Sequence, residues 1–121
     1  MKILAIDTSS PICSVAILEN DNLVDEINLD DGRTHSENLM PLIDSVLKRN
    51  KLDIKDIEMI SCSVGPGSFT GIRIGVSTIK PMAEILNIKI ASVTSLEVLA
   101  RNIENAETIV SLIDARNNQV Y

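Results

Sequence analysis

The run Met59-Ile60-Ser61-Cys62-Ser63-Val64 passes without a break into Gly65-Pro66-Gly67-Ser68-Phe69-Thr70-Gly71, after which apolar residues recur at helical spacing as far as Leu86. A short uncharged, apolar-leaning run of this kind predicts a strand buried on both faces. Strand, glycine turn and helix in succession are the elements of a crossover unit, with helices packed on a sheet.

The rest of the chain fits around that unit. Ile3 to Ile6, Cys13 to Leu18 and Leu23 to Leu29 read as three strands separated by turn clusters, an antiparallel meander whose third member, with Asp25 and Glu26, is the edge. Thr34-His35-Ser36-Glu37 is a capping box, and Leu39, Met40, Ile43, Val46 and Leu47 follow at helical spacing towards Lys48-Arg49-Asn50. Pro41 suggests that regular helix begins nearer Asn38. A short helical turn is expected at Asp53 to Asp56, a helix at Ile72 to Leu86 and a strand at Ile88 to Val93. Thr94-Ser95-Leu96-Glu97 is a second capping box, whose helix carries Leu96, Val98, Leu99 and Ile103. Thr108 to Ile113 reads as a last strand, opening a hairpin with nothing left to pair with it. The expected fold is α/β: a mixed five-stranded sheet with helices on its faces, in the order of a ribonuclease-H-like lobe.

Composition removes several functions. With 121 residues, 45% of them hydrophobic, the chain can bury a core and is not disordered. A net charge of −6 argues against wrapping nucleic acid unaided, and Phe69 and Tyr121, the only aromatics, make no base-stacking platform. Cys13 and Cys62 fall in predicted strands and read as buried free thiols. His35 is the single histidine, so no zinc site of ordinary ligand count can be assembled. No apolar run approaches membrane-spanning length, and the opening is too soon acidic for a signal peptide, so a cytoplasmic protein without membrane contact is expected.

The loops offer limited chemistry. Gly65, Gly67 and Ser68 could bring backbone amides to an anion at a helix start, yet the loop is not a P-loop and its third glycine falls one place late for a dinucleotide fingerprint. A packing turn is the equal alternative. Asp7, Thr8 and Ser9 end the first strand, where actin-like ATPases hold phosphate, but Ser9 stands where those proteins have glycine. A turn cap is the simpler role for Asp7. Asp7 with Glu37 or Asp44 makes a poor nuclease site, because the fourth strand ends without a further acid. His35 reads as an exposed polar residue at a helix start, Arg73 as a solvated or pairing cation, and Phe69 as a hydrophobic pin for the glycine loop.

Three segments together carry a family resemblance: Ile3-Leu4-Ala5-Ile6-Asp7-Thr8-Ser9, Thr34-His35-Ser36-Glu37-Asn38-Leu39-Met40-Pro41-Leu42-Ile43 and, most specific, Gly65 through Val76. With Thr94-Ser95-Leu96-Glu97 and Ile113-Asp114-Ala115-Arg116, they resemble the TsaB (YeaZ) proteins of bacteria over essentially the whole chain. The resemblance implies an actin-like fold of two lobes, of which residues 1–107 would be the first and residues 108–121 the opening strand of a truncated second, and a part in making threonylcarbamoyladenosine beside the tRNA anticodon. It implies a non-catalytic subunit, with no catalytic residue and no metal ligand of its own, that supports the TsaD paralogue. A TsaE-like ATPase completes the assembly, tRNA is met only through the complex, and ATP and a metal ion belong to the assembled complex. The paired histidines of the catalytic paralogue are missing, with Leu39 standing four residues after His35, and a metallopeptidase reading finds no ligand set. An ATP-dependent kinase or hydrolase of the same fold is the rival. The implied partner surface is Ser36 to Asn50 and Ile72 to Leu86, with His35, Leu39, Met40, Ile43, Arg73, Gly75 and Ser77 as its candidate residues. Leu39, Ile43, Val46 and Leu47 can face the sheet while Met40 and Leu42 turn elsewhere, and Gly75 and Ser77 would let another helix approach. A homodimer through these helices is expected in isolation. Pro81, where the family has glycine, should kink or loosen the second helix.

Overall fold

A computed structural model describes residues 1–121. The meander is β1 (Lys2–Asp7), β2 (Cys13–Glu19) and β3 (Asn22–Leu29), followed by α1 (His35–Arg49) and a turn of 3₁₀ helix at Ile54–Asp56. Then come β4 (Met59–Ser63), α2 (Phe69–Leu86), β5 (Lys89–Val93), α3 (Ser95–Ala100), β6 (Asp114–Arg116) and β7 (Gln119–Val120). The first five strands form one mixed sheet in the order β3-β2-β1-β4-β5, antiparallel through β1 and β2 and parallel from β1 to β4 to β5. This is the ribonuclease-H-like, actin-like lobe expected from the sequence, with β3 at the edge.

Strand alternation decides where the core sits. Leu4 and Ile6 of β1, Cys13, Val15 and Ile17 of β2, and Ile60 and Cys62 of β4 point to one face. There they meet Leu39, Ile43 and Val46 of α1 and Ile79 and Ala83 of α2. Both long helices therefore cover the same side of the sheet. Asp25 on β3 ties the edge strand to the end of α1, accepting from Arg49 Nη2 at 3.0 Å and Asn50 Nδ2 at 2.8 Å. The short α3 lies on the opposite side, where its Val98 faces Val93 and Ser63.

Several boundaries differ from the sequence reading. α1 starts at His35 rather than near Asn38, because the Thr34 box holds the first turn: Thr34 N donates to Glu37 Oε2 at 3.2 Å and Thr34 Oγ1 to the same oxygen at 2.8 Å. Pro41 lies on the exposed side. α2 starts at Phe69 and continues unbroken through Pro81 to Leu86. Leu42 is buried, not turned away. β4 is buried along its helix side, whereas on the other side Ser63 alone is buried, near α3, and Ser61 and Met59 are half-buried. Residues 108–113 are not a strand. The hairpin is Asp114–Arg116 with Gln119–Val120, so its partner is present, and the turn between them takes positive φ at Arg116, Asn117 and Asn118. Asn in particular tolerates that conformation.

Candidate functional site

The end of β1 and the glycine loop are locked together. Asp7 Oδ1 accepts from Ser9 N at 2.8 Å, closing the turn, and Ser9 O accepts from Ser68 N at 2.7 Å, joining that turn to the start of α2. Thr8 is fully buried and gives its hydroxyl proton to Gly71 O at 2.7 Å. A side chain at Gly67 would begin 2.3 Å from Ser9 O, and one at Gly71 would begin 2.0 Å from Thr8 O. These glycines are there so that two backbones can touch, which is the packing turn and not an open ligand cradle. Gly65, also buried, accepts from Ser95 N at 2.8 Å and so fixes the start of α3. Ser95 Oγ in turn lies 3.0 Å from Ser63 Oγ at the end of β4.

The anion-contact set is thereby corrected. Thr8, Ser9 and Gly65 are buried, with the Thr8 hydroxyl, the Ser9 N–H and carbonyl and the Gly65 carbonyl engaged internally. Gly67 and Ser68 remain exposed, and they line a cavity of about 410 Å³ with Phe69, Thr70, Arg116 and Tyr121. Arg116 and Tyr121 were missed by the sequence reading; only the closed hairpin brings them to this loop. The Ser68 hydroxyl accepts from Gly71 N at 3.1 Å and caps α2.

His35 is half-buried rather than an exposed cap residue. Its Nε2–H donates to Ser10 O at 2.8 Å, while its Nδ1 is buried without a partner. The Ser10 carbonyl can only accept, so Nε2 carries a hydrogen and Nδ1 is the nitrogen left without a partner. No three His, Cys, Asp or Glu side chains stand close enough together to hold a metal ion.

The partner-surface set divides in the same way. Leu39 is 1% exposed and Ile43 2%, so both belong to the core. Gly75 is buried under β1, where a Cβ would begin 2.5 Å from Thr8 Oγ1, so it admits the sheet and not a foreign helix. Met40 is 51% exposed, Phe69 73% and Ile85 83%. Phe69 is not a pin inside the loop; its ring lies out on the surface, with the Arg73 guanidinium 5.3 Å from its centroid. Phe69, Arg73, Ser77, Lys80 and Glu84 form one exposed stripe along α2, and Met40, Asp44 and Lys48 another along α1, where Lys48 Nζ donates to Asp44 Oδ2 at 2.7 Å. Ile85, the most exposed of these apolar residues, was not singled out from sequence; read as the continuation of the Ser77 and Pro81 positions, it lies on the outer stripe.

Burial governs the thiols. It pushes Cys62 up to about 11 and raises Cys13 as well, with Asp7 adding to Cys62 and Asp31 and Asp7 to Cys13. Both cysteines are free, as expected. No helix is long and apolar enough to cross a membrane.

Comparison with known proteins agrees with this geometry. The family model described as "TsaD: tRNA N6-adenosine threonylcarbamoyltransferase" matches residues 29–121. The TsaB protein of Bacillus subtilis is 40% identical across 100% of this chain and 53% of its own length, and that of Haemophilus influenzae 36% identical across 100% and 52%. The solved structure of YeaZ from Pseudomonas aeruginosa superposes with a TM-score of 0.87 at 30% identity, covering 98% of this chain and 57% of that one. The chain thus spans about half the length of the relatives it matches. The chain belongs to the family that this model describes, and its relatives there are TsaB (YeaZ) proteins.

Proposed function

We propose that this chain acts in tRNA threonylcarbamoyladenosine biosynthesis as a non-catalytic partner lobe, which binds a TsaD-type subunit through the outer stripes of α1 and α2. The observation that carries the reading is the exposure of Met40, Phe69 and Ile85 on two helices whose inner sides are already packed on the sheet. Isolated surface hydrophobes are common, but these are large ones spread along the outer sides of two neighbouring helices, which an association surface can use. Arg73, stacked on Phe69, is of a residue type that protein interfaces favour. Several groups that chemistry at this end of the sheet would draw on are used in holding the fold: the Thr8 hydroxyl, the Ser9 backbone and His35 Nε2 are engaged internally.

In this reading ATP, the metal ion and tRNA are bound by the assembled complex, to which a TsaE-like ATPase also belongs. Alone, the chain pairs with a second copy through the same helices. Capture of a TsaD-type subunit by the tagged chain, with gain of threonylcarbamoyl transfer to tRNA, tests the proposal. Micromolar binding of Mg-ATP by the chain alone would instead support a kinase or hydrolase of this fold.

A further inference from the structure

The two edges of the five-stranded sheet are unlike. The β3 edge is guarded: it carries Asp25 and Glu26, and its pairing with β2 shifts register between Ile17 and Leu18. Charges and irregular pairing of this kind keep foreign strands away. β5, at the other edge, pairs regularly with β4 and has no proline and no charge after Lys89. Val93 O accepts from Val64 N at 2.9 Å, so Val93 turns its polar groups towards β4. Strand alternation then sends the N–H and C=O of Ile90 and Ser92 outwards, where no further strand and no loop bonds to them.

An apolar groove runs beside this edge. Between α2 and β5, Val64, Val76, Ile79 and Ile90 line a cavity of about 210 Å³. Val64 is 42% exposed and Ile90 44%, so the groove is open to solvent along the strand. Lys80 stands on its wall and is in no ion pair.

We propose that β5 takes an extended, acidic segment of a partner protein by strand addition. The segment's backbone pairs with Ile90 and Ser92, an apolar side chain enters the groove, and a carboxylate on the same face meets Lys80. Three observations select that occupant. The outward amides and carbonyls of β5 can be matched along their length only by an extended backbone, since a helix uses its own groups internally. The groove lies on the face to which the Ile90 and Ser92 side chains point, so it receives every second side chain of an added strand. Lys80 calls for a carboxylate, and a second copy of this chain brings none to this place: residues 89–93 carry no acid, and two-fold pairing of two β5 strands would set a second Lys80 on the same face. The inference goes beyond the TsaD-type partner reading, which concerns the outer stripes of α1 and α2; Lys80, at the border of the second stripe, is the one residue they share.

The probe is the peptide acetyl-Ser-Thr-Val-Thr-Glu-Thr-Ser-amide, titrated into the isotope-labelled chain and followed by NMR at the backbone amides. At millimolar peptide the Ile90 and Ser92 amides should shift saturably. Replacing the peptide's Glu by Lys should weaken binding by roughly tenfold, as expected for loss of one charge-assisted contact, and Lys80→Glu should reverse that preference. Ser92→Pro should keep the parent's circular dichroism, because an edge strand tolerates a proline whose missing N–H faces outwards. Followed at Ile90, that variant should nevertheless bind the peptide roughly tenfold more weakly. If it fails to fold, the Lys80→Glu comparison decides. Absence of saturable shifts at Ile90 and Ser92, equal binding of the Glu and Lys peptides, or full binding by a folded Ser92→Pro overturns the inference. So do shifts of the same amides on concentrating the chain without peptide, which would put a second copy at the edge. Met40→Glu should leave peptide binding unchanged, which separates this result from failure of the TsaD-type reading.

Discussion

Thr8 and Gly75 stand against each other at the junction of β1 and α2, with only 2.5 Å between the Thr8 hydroxyl oxygen and the point where a Gly75 Cβ would begin. The helix rests on the buried end of the strand because no side chain intervenes. Gly71, one turn earlier, admits the Thr8 carbonyl in the same way. This seat fixes the height of α2 and therefore which of its residues face outwards.

Gly75→Ala should accordingly destabilise the fold by about 1–3 kcal/mol, the usual cost of overpacking a tight site. Ser77→Ala, on the exposed side of the same helix, should stay within about 0.5 kcal/mol of the parent. Urea unfolding of the two variants measures both.

Leu39 and Met40 are neighbours in sequence with opposite fates. Leu39→Ala should cost about 2–5 kcal/mol, because it opens a cavity between α1 and the sheet. Met40→Ala should leave stability nearly unchanged, since that side chain is half exposed. Thermal unfolding followed by circular dichroism compares them.

The Cys62 thiol, held up at about 11 by burial, stays protonated in the fold where an unfolded thiol, with its pKa of roughly 8.5, has begun to ionise. The folded state binds the proton more tightly, so this stabilisation is complete below the unfolded value. It is lost as pH rises from there through about 11. Unfolding free energy should fall more steeply over that range in the parent than in Cys62→Ala. Both native thiols should react slowly with a thiol reagent at pH 8 and promptly in urea.

Glu97 has its carboxyl lowered by the Thr94 hydroxyl, which donates at 2.7 Å, and by the Thr94 amide, which donates at 2.9 Å. A lowered carboxylate stabilises the fold above its unfolded pKa, and that contribution disappears as pH falls through the lower folded value. Thr94→Val should raise the Glu97 pKa towards the ordinary range and loosen the start of α3. An NMR titration of the Glu97 side chain reads the first effect, and amide exchange across Ser95–Ala100 reads the second.

The sequence made the lobe legible because its strands and helices alternate with clear periods and its capping boxes stand just ahead of helices. Thr34 with Glu37 and Thr94 with Glu97 both form as read. Misreadings arose where tertiary contact decides. Helical spacing grouped Leu39 and Ile43 correctly as a sheet-facing pair, yet the partner surface inferred from resemblance drew them outwards. Gly75 was read as a place for a foreign helix because smallness is visible in sequence, whereas the neighbour that fills the space, Thr8, lies far away along the chain. Phe69 reads in sequence as a hydrophobic pin for the glycine loop, whereas α2 begins at that residue and leaves its ring exposed under Arg73. Arg116 and Tyr121 reach the glycine loop only because the last residues close a hairpin.

Sedimentation velocity of the chain mixed with a TsaD-type subunit, using the parent and Met40→Glu, tests the central claim most directly. The parent should form a heavier complex, and Met40→Glu should weaken it by roughly tenfold or more while keeping the parent's circular dichroism, as expected for an interface anchor. Absence of a complex with the parent, or equal binding by parent and variant, would contradict the account.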